Sequence, residues 1–126
     1  MTRTYSRRVA FAETDASGRV HFTALLRWVE EAEHQWLGEQ GVPVLSQEGG
    51  WPRVRIECDY RKPFVFGEEA LVELQPPELG QRSLRWSFRI LSAEQEVAAS
   101  GQMVTVWTGA EMPSEVRSRL AGRTPS

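Results

Sequence analysis

Cysteine occurs once in this chain, at Cys58, which excludes an internal disulfide and a Cys-x-x-Cys metal clamp. Histidine occurs twice, at His21 and His34, too sparsely for a histidine-rich zinc site, so no metal is expected. The longest uninterrupted apolar run is the four residues Val9 to Ala12, far short of the roughly 20 that span a bilayer. Neither sign of charge dominates. Fifteen Lys+Arg against 17 Asp+Glu leave a net charge of −2, and the missing basic excess argues against a nucleic-acid partner. Arg7 and Arg8 lead into Val9-Ala10-Phe11-Ala12 and then acids, which is no signal-peptide pattern. Walker-type and dinucleotide-binding glycine patterns are missing, as is a Gly-x-Ser-x-Gly elbow. Nucleotide hydrolysis, hydride transfer and a serine-hydrolase mechanism are therefore disfavoured. There is no repeat, low-complexity tract or Ser/Gly linker. The expectation is a soluble, cytoplasmic protein of one domain, residues 1–126.

What is present is ordinary globular material, 40% hydrophobic and 25% charged, with a heavy load of five tryptophans. Thr4 to Phe11 alternates Tyr5, Arg7, Val9 and Phe11 and reads as a strand, followed by a turn-rich stretch from Glu13 to Arg19 with an expected left-handed glycine at Gly18. From Phe22 to Leu37 the spacing turns helical. Leu25, Leu26, Val29, Ala32 and Trp36 or Leu37 form one apolar stripe, with Thr23 as the expected N-cap and Gly38, Gly41 and Pro43 as stop signals. The remainder alternates with period two over Arg53–Tyr60, Ala70–Leu74, Ser83–Leu91 and Val97–Thr108, the pattern of an antiparallel sheet with one buried face. Residues 114–126 read as a short terminal helix and frayed tail. One long amphipathic helix needs a sheet to cover it, so the class is α+β.

The stretch from Val9 to Ala32, with Glu13-Thr14-Asp15, Gly18, His21-Phe22 and Trp28-Val29-Glu30, resembles the signature of the 4-hydroxybenzoyl-CoA thioesterase-like acyl-CoA thioesterases. Asp59-Tyr60-Arg61-Lys62-Pro63 with Gly67-Glu68, and Leu79-Gly80-Gln81-Arg82-Ser83, match later parts of that pattern. The resemblance implies a hotdog fold, an antiparallel sheet wrapped around a long central helix. It also implies hydrolysis of a thioester, with coenzyme A as part of the substrate and no separate cofactor, in a homodimer or homotetramer. On the family pattern Asp15 is the catalytic carboxylate, acting as nucleophile or general base, and the backbone N–H of Phe22 polarises the thioester carbonyl. His21 stands where relatives often carry an aromatic residue, one position before their usual histidine, and is a weaker catalytic candidate. Gly18, Arg61, Lys62, Arg82, Ser83 and Trp51 are the substrate-binding candidates. Arg61, Lys62 and Arg82, with Arg85, are the cations available to coenzyme A phosphates.

Plainer roles stand beside these. An aspartate next to Ser17 and Gly18 is commonly a turn former. Glu30 reads as a helix carboxylate paired with Arg27 or His34, and Cys58 as core filler. Trp86 and Trp107 share parity with apolar strand neighbours and are expected to pack on the helix. Two other functions fit the resemblance: a hotdog enoyl-CoA hydratase or dehydratase pairing Asp15 with His21, and a non-catalytic acyl-CoA binding module.

Overall fold

The computed structural model describes residues Thr2 to Ala121. Strand β1 (Arg3–Arg8) leads through a 3-10 turn (Phe11–Glu13) to helix α1 (Phe22–Glu39). Strands β2 (Arg53–Tyr60), β3 (Glu69–Leu74), β4 (Glu78–Leu79), β5 (Ser83–Ser92) and β6 (Val97–Val106) follow, and helix α2 (Ser114–Leu120) closes the described chain. The sheet runs β1-β3-β5-β6-β2, with the short β4 pairing β5, and every pairing is antiparallel. Helix α1 covers one face of it. Leu25, Trp28, Val29, Ala32, Trp36 and Leu37 pack there against Val72, Leu74, Leu84, Trp86, Phe88, Ile90 and Met103 in one core. The α+β hotdog arrangement expected from the sequence is the one observed.

Several boundaries differ, each for a local reason. The first strand ends at Arg8 rather than Phe11 because the Ala10 N–H is captured by the Glu13 carboxylate and the chain tightens into the 3-10 turn. Thr23 does not cap α1. His21 does, its Nδ1 accepting from the Thr23 N–H at 3.4 Å. The helix passes through Gly38, whose missing side chain is tolerated in a well-packed helix, and stops where Gly41 adopts φ +74°, the left-handed cap that only glycine takes without strain. The last strand ends at Val106 rather than Thr108. The five residues 122–126 of the expected tail lie outside the described residues.

Tryptophan placement follows parity only in part. Trp86 meets Trp36 of α1 edge-to-face at 5.3 Å, whereas Trp107 packs on Trp51 at 5.2 Å. The apolar parity of β2 is not buried either. Val54, at a register shift in β2, is 61% exposed, while Ile56 and Cys58 are half-buried at the sheet's edge, so Cys58 packs against the margin of the core and also lines a surface depression. Among the described residues no helix is long and apolar enough to cross a membrane.

Candidate active site

The turn between the 3-10 segment and α1 is built around Asp15. Its Oδ1 accepts from the Ser17 N–H at 2.8 Å and from the Ser17 hydroxyl at 2.5 Å, while its backbone carbonyl accepts from the Gly18 N–H at 3.0 Å. Gly18 sits at φ +82°, which lets the chain reverse so that the Asp15 N–H donates to the Arg19 carbonyl at 2.8 Å. Asp15 is thus the turn former that its neighbours suggest. Yet its second carboxylate oxygen accepts from no described residue, and the side chain is exposed. The Ser17 hydroxyl, then the Ser17 N–H, hold the Asp15 carboxyl below the usual carboxylate range, and the nearby His21 adds a smaller lowering.

The same turn delivers the chain to the start of α1. The N–H of Phe22 finds no acceptor among the described residues, while those of Val20, His21, Thr23 and Ala24 are all occupied. No acid stands in the first turn of the helix to neutralise its positive end. Asp15 and Phe22 line one cavity of about 460 Å³ with Ser17, Arg19, Val20, Tyr60, Arg61, Lys62 and Pro63. A second depression of about 200 Å³, formed by Leu25, Leu26, Ile56 and Cys58, shares Phe22 and Tyr60 with the first. A charged chamber therefore adjoins an apolar one across two aromatic walls. Burial pushes the Tyr60 hydroxyl above its ordinary pKa, and that oxygen accepts from the Phe64 N–H at 3.4 Å.

Four of the sequence candidates come together there: Asp15, Phe22, Arg61 and Lys62. Lys62 is also ion-paired with Glu96. Gly18 shapes the turn without lining the cavity, and His21 is committed to capping, its Nδ1 also 2.8 Å from the Thr23 hydroxyl. Arg82, Ser83 and Trp51 stand elsewhere. Arg82 donates to the carbonyls of Trp107, Gly109 and Ala110, Ser83 closes the β4–β5 turn through its carbonyl, and Trp51 is buried on Trp107. Glu30 pairs with Arg53 of β2 rather than with Arg27 or His34. Ser17, Arg19 and Tyr60 were not singled out by spacing. The Asp-x-Ser step is a recognisable Asx-turn signal, whereas Arg19 and Tyr60 are brought in by the Arg19–Val65 bridge and the end of β2.

A long helix wrapped by an antiparallel sheet is the hotdog arrangement, and the relatives that share it here are thioester hydrolases. The chain belongs to the thioesterase-like superfamily, whose family profile matches residues 9–120. It is 34% identical over 103 residues to a 1,4-dihydroxy-2-naphthoyl-CoA hydrolase of Synechococcus sp. (strain CC9605), covering 75% of this chain and 69% of that one. Among solved structures, a gentisyl-coenzyme A thioesterase superposes with a TM-score of 0.85 at 29% identity, over 94% of this chain and 99% of the other. A hypothetical protein from Thermus thermophilus superposes over the whole of both chains, with a TM-score of 0.89 at 26% identity.

Proposed function

We propose that this protein hydrolyses acyl-CoA thioesters at the Asp15 cavity, the observation that carries this being one chamber shared by an unblocked carboxylate oxygen and an unaccepted helix N-terminal N–H. The thioester carbonyl oxygen takes the Phe22 N–H, which stabilises the charge that develops as the carbon becomes tetrahedral. Two routes complete the reaction. In one, Asp15 attacks the carbonyl carbon, coenzyme A leaves as thiolate, and water hydrolyses the mixed anhydride to free acid and carboxylate. In the other, Asp15 takes a proton from water as its oxygen adds, and the C–S bond then breaks as that proton passes to the departing coenzyme A thiolate, leaving the free acid and the Asp15 carboxylate. The lowered pKa keeps Asp15 ionised at neutral pH, as both routes require.

Arg19, Arg61 and Lys62 surround the chamber with cations suited to coenzyme A phosphates. The adjoining apolar depression suits the acyl group. Its Leu25, Leu26, Ile56 and Cys58 lining offers apolar contact to an acyl chain or ring. Relatives named for aryl-CoA substrates agree with a coenzyme A thioester. Capping by His21 disfavours a hydratase, which would need that imidazole directed at substrate. The open edge and half-exposed apolar parity of β2 fit a second copy of the chain, making a dimer or tetramer the working unit. Thiol release from short-chain, long-chain and aromatic acyl-CoAs tests the reading directly. Turnover of at least one class is expected. Tight binding of acyl-CoAs with no hydrolysis across the panel would replace the enzyme with a binding module.

A further inference from the structure

Glu13 carries a buried charge that the chemistry at Asp15 does not use. Its Oε1 accepts from the Ala10 N–H at 2.9 Å, and its Oε2 accepts from the Trp28 indole N–H at 2.9 Å and from Arg7 at 2.5 Å. Its backbone carbonyl accepts from the His21 N–H at 2.8 Å, next to the amide of Phe22. One residue therefore joins strand β1, the interior of α1 and both ends of the turn that holds Asp15. The anchors are themselves fixed. Trp28 is buried edge-on against Phe64 at 5.7 Å, and the Arg7 guanidinium, 5.8 Å from the Trp28 ring, also pairs with Glu31 on α1. A buried carboxylate is not free to leave such partners, because removing one leaves an uncompensated polar group in the interior.

We infer that Glu13, clamped by Trp28 and Arg7, is a positioning residue that holds the Asp15 carboxylate in register with the Phe22 amide. Its carboxylate fixes where the turn begins, and its carbonyl fixes where the turn re-enters the helix. The two reacting groups are thereby referred to one point. This rests on the reading of Asp15 as the reacting carboxylate. The geometry matters because a displacement of about 1 Å in a reacting group costs on the order of a hundredfold in rate.

Two substitutions test the clamp. Trp28→Phe keeps an aromatic ring at the buried position, removes the indole donor and leaves a small cavity. Glu13→Gln keeps the shape but directs an amide N–H₂ at donors. The measurements are kcat and KM for an acyl-CoA that the parent hydrolyses, and backbone amide hydrogen exchange across residues 14–21. Trp28→Phe is expected to lower kcat about tenfold and Glu13→Gln about a hundredfold, with KM within about twofold and faster exchange confined to 14–21. A parental kcat with parental exchange in either folded variant overturns the inference. So does exchange that rises evenly through the whole chain, the mark of a general stability role. Should Glu13→Gln fail to fold, the milder Trp28→Phe decides. If the parent hydrolyses no acyl-CoA, the proposed function falls, while exchange in 14–21 still decides whether the clamp exists.

Discussion

The two ends of helix α1 are built on opposite principles. At its start the surroundings are open: Phe22 is 61% exposed, the Asp15 side chain bonds only within its own turn, and Phe11 and Phe66 pair edge-on at the surface. At its far end Trp36, Leu37, Val42, Trp107, Met112 and Leu120 are buried. Arginines tie the neighbouring carbonyls there. Arg119 reaches Gln40, Arg117 reaches Gly80 and Gln81, and Arg82 reaches Trp107, Gly109 and Ala110. The lesson is a division of labour along about 27 Å of helix. Groups that must meet a substrate sit on an exposed turn anchored to the core at one buried point, Glu13 with Trp28, while the other four tryptophans pair with one another away from it.

If that division holds, activity and stability come apart on mutation. The largest effect belongs to Asp15→Asn. It keeps the shape of the side chain and removes the charge, so kcat should fall about a thousandfold while the melting temperature stays near the parental value. Steady-state kinetics beside calorimetry checks both halves, and an undiminished rate would remove Asp15 from the mechanism. Next comes Trp36→Ala at the other end, which deletes one half of the Trp36–Trp86 contact. A loss of about 3–5 kcal/mol in unfolding free energy is expected, with kcat retained by the fraction that remains folded. A large fall in kcat for the folded enzyme would show that the two ends are coupled.

The contrast also explains what the sequence makes legible. Helix and strands come from periodicity, and periodicity reports burial, so Arg53–Tyr60, Ser83–Ser92 and the body of α1 are readable to within a residue or two. Asp15 and Phe22 are readable through a local motif, since a turn and the helix it feeds are contiguous in the chain. Arg82, Ser83 and Trp51 were matched by local pattern too, but their place depends on which strand ends meet across the sheet, and the structure sets them beside Trp107 and Gly109. The exposed parity of β2 is the instructive failure. Alternation groups Val54 with Ile56, Cys58 and Tyr60, but a register shift between Arg53 and Arg55 breaks the parity at Val54, and the pattern does not say whether the surface covering the rest lies in the same chain.

Between the two ends, Glu33 tests whether α1 is uniformly well satisfied along its length. It is fully buried, Arg53 pairs with one of its oxygens, and the other finds no partner among the described residues. Burial pushes its carboxyl up to about 7 from an ordinary 4.5, against the opposing pull of Arg53. Between those values the folded state keeps a proton that the unfolded chain releases. Stability should therefore fall as pH rises from about 4.5 to about 7 and then level off. Glu33→Gln should remove this slope, on the order of 3 kcal/mol at most, and gain on the parent as the pH is raised. Urea titrations of both proteins at pH 5 and pH 8 measure it. A difference that does not change with pH would mean that Arg53 already keeps the carboxylate charged.

The smallest effect should come from Ser17→Ala, which leaves the turn but takes away the hydroxyl that most lowers the Asp15 pKa. Asp15 stays ionised at neutral pH in either protein, so the rate there should change only through looser orientation, about threefold. The clearer signature is the acidic limb of the kcat/KM profile, which should move to higher pH as Asp15 returns toward its ordinary value. A limb that stays in place would assign that limb to another group and leave Ser17 with the turn alone. Since the Ser17 N–H still donates to Oδ1, the displacement should be partial, and the remaining gap measures what the backbone of the turn and the nearby His21 contribute together.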